Sequence, residues 1–277
     1  MKSPLLVALS LTTFCSFSAL ASTSECTNAE RQKNLANNSI ALFDTLNGPV
    51  KSVIMSSSLP DDGRFKALKG EMQFGQCGEL LKNHTSMQEY FENGLETNLL
   101  RTAPDNPYEF KYKYQIKNRY LTHSVYMQDI YNRNNKNQLE SKTTRYYSNE
   151  GELLDTMETQ YHYTNGLITS EITQSITPDS DKIATHYTYT DQGKLLKAVE
   201  DDKTLFDYQY DKEGKILKQV QYIKGVYDED KSYETTCIEW DKYNNCLQET
   251  LESTIKIDNE TVNYSKATLY YTYEYYQ

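Results

Sequence analysis

Aromatic and apolar side chains recur at every second position along most of this chain. Tyr112 and Tyr114, Tyr161 and Tyr163, Tyr187 and Tyr189, and Tyr208 and Tyr210 each stand two apart, and Tyr271, Tyr273 and Tyr275 extend the habit near the C-terminus. Residues two apart share one face of a strand, so each set predicts a tyrosine stripe with Thr, Lys, Gln or His on the opposite face. Runs rich in β-branched residues lie between them, as in Val50 to Met55, Leu167 to Ile176 and Thr254 to Ile257. One segment departs from this period. Ser24 to Leu46 reads as helix, because Ala29, Arg31, Gln32, Lys33, Leu35 and Ala36 are good formers and Asn47-Gly48-Pro49 stops it.

Between the runs a turn repeats. Tyr147-Ser-Asn-Glu-Gly151-Glu-Leu153, Tyr189-Thr-Asp-Gln-Gly193-Lys-Leu195, Tyr210-Asp-Lys-Glu-Gly214-Lys-Ile216 and Trp240-Asp-Lys-Tyr-Asn244-Asn-Cys246 align without gaps. An aromatic is followed four residues on by Gly, or by Asn in the last copy, and two residues later by an apolar side chain. Gly and Asn are the residues that best accept φ > 0, so this is a hairpin turn ending in a left-handed residue. Asp62-Gly63, Asn93-Gly94 and Asn165-Gly166 add shorter turns of the two-residue kind. The chain then holds roughly 12–18 strands, a number at which a sheet curls or closes. The expected fold is all-β: a long antiparallel meander of hairpins forming a curved, twisted sheet or incomplete barrel, with one short N-terminal helix. No composition shift divides it, although Ala103-Pro104-Asp105-Asn106-Pro107 is the most plausible break and Thr177-Pro178-Asp179 to Asp181 a long loop. Residues 22–277 are read as one secreted domain, 22–46 helical and 47–277 the meander.

Composition narrows the function. Lys and Arg number 29 against 39 Asp and Glu, a formal net charge of −10, which argues against a nucleic-acid partner. Aromatics are 12% of the 277 residues, with 25 tyrosines and one tryptophan, enough rings to build a core from half-buried phenols. Met1-Lys2, the apolar Leu5 to Leu20 and the small residues of Ala19-Leu20-Ala21 form a secretory signal at residues 1–21, cleaved after Ala21. The apolar run is shorter than the ~20 residues a membrane span needs. Thr12, Thr13 and Phe14 before Cys15 are not a lipid-attachment box, so the mature chain is expected free in the periplasm.

Cleavage leaves Cys26, Cys77, Cys237 and Cys246 in an oxidising compartment. Four cysteines allow three pairings. Cys237 and Cys246 flank a motif turn and should face each other across a hairpin, which leaves Cys26 for Cys77. Such bridges are worth ~2–4 kcal/mol each. A zinc site would need a different spacing and nearby histidines.

The Tyr-turn-Gly-x-Leu copies resemble degenerate tyrosine–aspartate (YD, Rhs-type) repeats, with the aspartate kept at Tyr210-Asp211 and Trp240-Asp241. Over roughly residues 43 to 277 the chain also resembles the YnfC-like envelope proteins of enteric bacteria. That resemblance rests on Leu46-Asn-Gly48-Pro49-Val50-Lys51, Gly63, Cys77, Tyr187-x-Tyr189-x-Asp191-x-Gly193, Cys237 with Cys246, and the closing Tyr275-Tyr276. The family has no assigned activity and its members look like lipoproteins. The resemblance implies an envelope location and no catalytic residues.

The remaining chemistry is sparse. Of His84, His123, His162 and His186, none are paired at helical metal-ligand spacing. His162 and His186 should point away from the tyrosines, where on adjacent strands they would form a weak metal or acid–base site or simply face solvent. The acidic groups Asp179 to Asp181, Glu200 to Asp202 and Asp228 to Asp230 fall at turns and lack an ordered calcium-loop spacing. There is no Gly-x-Ser-x-Gly elbow, phosphate loop or dinucleotide fingerprint. No catalytic, cofactor or metal residue is therefore assigned. The leading expectation is a non-enzymatic protein that binds another envelope protein. A carbohydrate or peptidoglycan binder using exposed tyrosines is the first alternative, and a hydrolase using dispersed carboxylates or the His162/His186 face the second.

Overall fold

The computed structural model describes residues 26–42, 46–58, 65–90, 96–102, 109–117, 122–134, 138–177, 180–224, 229–257 and 260–277. The secretory signal, Asp62-Gly63, Asn93-Gly94 and the Ala103 to Pro107 segment lie outside the described residues. Helix α1 (Asn28–Leu42) comes first, followed by β1 (Val50–Ser57), β2 (Phe65–Phe74), β3 (Leu80–Tyr90), β4 (Glu96–Thr102), β5 (Glu109–Lys117) and β6 (Thr122–Arg133). Then come β7 (Leu139–Tyr147), β8 (Leu153–Thr164), β9 (Leu167–Ser175), β10 (Lys182–Tyr189) and β11 (Leu195–Glu200). The last five are β12 (Lys203–Tyr210), β13 (Ile216–Lys224), β14 (Glu229–Trp240), β15 (Cys246–Ile257) and β16 (Glu260–Tyr275).

Each strand pairs antiparallel with its neighbours in sequence, as the turn spacing predicts. The two ends of the meander then meet. β1 pairs with β2 on one side and with β16 on the other, Val53 lying opposite Met72 and Tyr273, so the described strands close into a barrel. The turn motif explains the local register. Tyr147 lies opposite Leu153, Tyr189 opposite Leu195, Tyr210 opposite Ile216 and Trp240 opposite Cys246, each next to a register shift. A fifth copy, Phe74-Gly-Gln-Cys-Gly78-Glu-Leu80, behaves the same way. Gly78, Gly151, Gly193 and Gly214 have φ between 76° and 84°, and Asn244 takes 69° in the same role. Asp211 and Asp241 hold their turns directly, each Oδ1 accepting two backbone N–H groups, which is the physical content of the aspartate in a tyrosine–aspartate pair.

In an up-and-down ring, alternate hairpins lie at opposite ends. The turns at 75–79, 165–166, 190–194, 211–215 and 241–245 share one end, and those at 148–152 and 201–202 the other. The N-terminal segment lies across the first of these ends. Thr27 caps α1: its Oγ accepts from Glu30 N, and the Glu30 carboxylate accepts from Thr27 N. Along the helix Arg31, Asn34 and Asn38 donate to the carbonyls of Gln76, Cys77 and Gly78. Asn37 donates to Gly166 O and accepts from Ile168 N on the β8–β9 hairpin. The segment ends on a third hairpin, where buried Asn245 accepts from Asn47 N and donates to Asn47 O and Tyr275 Oη. The Cys26–Cys77 bridge ties the start of this segment down, and Cys237–Cys246 fastens the hairpin beneath its end.

One apolar cluster fills the plugged end. It joins Leu35 of the helix to Val53, Phe74, Phe110, Tyr131, Tyr161, Ile168, Tyr187, Leu195 and Tyr208 from around the ring. Within one protomer only an inward face is shut from water this completely, so the tyrosine stripes line the interior. Five aromatics donate to the carbonyl at the start of the preceding strand: Tyr163 to Leu139, Tyr189 to Ile168, Tyr210 to Leu195, Trp240 to Ile216 and Tyr273 to Cys246, at 2.6–2.9 Å. Each ring packs apolar surface while its polar tip satisfies a strand end.

Candidate functional site

Both walls of the barrel carry polar chemistry, and the sheet keeps the two sets apart. On the inner wall, Tyr161, Glu171, Thr185 and Glu200 form a row across β8, β9, β10 and β11. Glu171 is partly buried beside Tyr161 and Tyr187, and the Tyr187 hydroxyl donates to it. Burial pushes the Glu171 carboxyl above the ordinary range, while Lys142 and the Tyr187 hydroxyl pull it back. Burial also raises the Tyr161 and Tyr187 phenols, so these hydroxyls stay protonated donors. Two inward rows further from the plug, buried Asp129 accepts from Thr144 Oγ1 at 2.6 Å. Sequence reasoning missed this cluster: Glu171 and Asp129 belong to no motif, and only their strand parity places them inside.

Among the described residues the outer wall mixes ion pairs with exposed apolar side chains such as Ile54, Leu81, Tyr222 and Ile238. Lys82 meets Glu71, Lys218 meets Glu234, and Lys266 meets Glu252, at 2.7–3.0 Å. Among the described residues no helix is long and apolar enough to cross a membrane.

His162 and His186 are exposed on the outer wall, opposite the tyrosines as expected. They stand on β8 and β10 rather than on adjacent strands, with Ser170 of β9 in register between them. His84 also faces outward, near Glu71, and the side chain of His123 is outside the described residues. The hydrolase reading needed histidines and carboxylates in one pocket. His162 and Glu158 do share an outer-wall groove, but His186 is not among its lining residues, and Glu171 and Glu200 line the inner wall. Of the acidic groups, Asp201 and Asp202 form the left-handed β11–β12 turn, and Glu200 points inward beside Glu171. Asp179 and Asp228 fall outside the described residues.

An open groove of about 470 Å³ runs along β8, β9 and β10 on the outer wall. Glu158, His162 and Lys182 line it with Ile172 and Ile176, the latter 60% exposed. The groove leads to the unplugged rim and to the one motif copy that points that way. There Leu153 is 55% exposed and Leu154 63%. At the plugged end the residues equivalent to Leu153 are shut in: Leu80, Leu195, Ile216 and Cys246 are all at 9% or less.

Two comparisons with known proteins, against family models and against curated proteins, find no match to this chain. Among solved structures, a porin-like protein from Bacteroides uniformis is similar at 8% identity and a TM-score of 0.35, over 83% of this chain and 99% of that one.

Proposed function

We propose that this protein is a non-enzymatic binding module of the periplasm that engages another envelope protein through its unplugged rim and the adjoining groove. One observation carries the reading: Leu153 sits where every other described copy of the motif buries an apolar side chain, yet it is exposed, as are Leu154 and Ile176 near the same rim. Clustered exposed apolar side chains bordered by polar ones mark protein contact sites. Exposed Glu150 and Glu152 lie in the same turn as this patch, and Asp181, Asp201 and Asp202 are exposed on other turns of that rim, which favours a partner with basic groups around an apolar centre. The glycan alternative is weaker, since the tyrosine stripes that would stack on sugars mostly pack inside the barrel. The two bridges and the secretory signal favour the periplasm, in line with the resemblance to YnfC-like envelope proteins.

The test compares the wild-type protein with a Leu153→Ser/Leu154→Ser double variant in a cross-linked pull-down from periplasm. One stoichiometric protein captured by the wild type and lost from the variant, with the urea midpoint unchanged, is the expected result. Equal capture by both proteins would remove the rim as the binding surface.

A further inference from the structure

From the register of three strands we infer that the outer wall holds a binding site for one divalent transition-metal ion of the zinc or copper kind, formed by His162 and His186 with Ser170 between them. Ser170 is the direct partner of His162 in the β8–β9 ladder and of His186 in the β9–β10 ladder. Directly opposed residues point to the same face of an antiparallel sheet, so the three side chains rise from one wall in a single row. The inward Tyr161, Tyr163 and Tyr187, next to the histidines in sequence, fix that wall as the outer one.

The spacing suits an ion held between the rings. Two strand intervals put the histidine backbones ~9.5 Å apart. With each imidazole turned toward Ser170, the side chains would cover part of the gap and two metal–nitrogen bonds of ~2.0–2.1 Å would close the rest. Small side chains keep the approach clear: Ser170 lies beneath the ion, and Ala184 and Thr188 flank His186 on the same face. Two imidazoles and a hydroxyl leave positions for water, a donor set that zinc, copper(II) and nickel(II) accept and calcium or magnesium does not. His162 also lines the groove next to the rim, but the site does not rest on the binding role proposed there, because His186 and Ser170 are not among the groove's lining residues and none of the three lies in the Leu153/Leu154 patch.

The experiment titrates zinc and copper(II) chlorides into tag-free secreted protein with both disulfides intact, followed by calorimetry and, for copper, electron paramagnetic resonance. One ion per chain is expected, with two nitrogen donors in the copper spectrum. His162→Ala and His186→Ala should each weaken binding at least about tenfold, whereas His84→Ala on another part of the same wall leaves it unchanged. Unchanged circular dichroism would establish that these exposed substitutions leave the fold intact. The inference is overturned by an absence of saturable binding, by a single nitrogen donor, or by an affinity that either histidine variant retains.

Discussion

The two ends of the barrel use the same turn for opposite purposes. In the β10–β11 hairpin, Tyr189 donates to the Ile168 carbonyl and Leu195 is 1% exposed beneath the helical plug. In the β7–β8 hairpin the parity is reversed: Thr144 and Tyr146 face inward, so Tyr147 and its partner Leu153 stand on the outer wall, where Tyr147 meets the Gln128 side chain at 3.2 Å. Backbone geometry is nearly the same, with Gly193 at φ 76° and Gly151 at 84°. The difference therefore lies in which wall each aromatic and its apolar partner face, inward for Tyr189 and Leu195 and outward for Tyr147 and Leu153. A motif fixes a hairpin, and its place in the ring decides whether the apolar residue stabilises a core or is left for a partner.

Substitutions that separate the ends sharpen this contrast. Leu195→Ala should cost about 2–5 kcal/mol, as core truncations do, while Leu153→Ala should stay within about 0.5 kcal/mol; paired urea titrations of the oxidised proteins compare them. Equal losses would mean that both ends are cores. A smaller effect is expected at the aromatic locks. Tyr210→Phe keeps the ring but removes the donor to the Leu195 carbonyl, at a cost of about 1 kcal/mol. Tyr147→Phe, whose hydroxyl reaches only a side chain, should be near neutral by the same measurement.

The least effect, and the one specific to the inner wall, is a pH dependence. The Glu171 carboxyl is held above its unfolded range, so its contribution to stability is fully present in acid. That contribution is lost as pH rises through the raised folded value. Glu171→Gln should remove the loss, so the variant gains on the wild type in thermal melts between about pH 4 and pH 8. A constant difference across that window would show that Glu171 does not titrate differently in the folded protein.

Much of this was legible in the chain, for reasons local to each element. Tyr-x-Tyr parity placed the rings on one face, and Gly or Asn four residues after an aromatic located the turns. The Phe74 copy escaped notice because Phe replaces Tyr and a second glycine follows at once. Ring closure has no local signature: Val50 pairs with Tyr275 through contacts that neither segment announces. The exposed Leu153 was equally hidden, since its sequence environment matches that of Leu195 and only counting hairpins around the ring separates them. Asn245 looked like a turn residue, yet it anchors the far end of the plug.

Pairing β1 with β16 also sets the order of assembly. The hairpins form between chain neighbours and are able to zip as the chain emerges. The seam joins residue 50 to residue 275, and the plug's last anchor, Asn47, requires the hairpin at 241–245. Neither contact exists until nearly the whole polypeptide has arrived. Such distant contacts slow folding and leave strand edges open meanwhile. The nascent protein thus spends its most vulnerable interval as an unclosed ribbon, when a chaperone that shields strand edges would help it most.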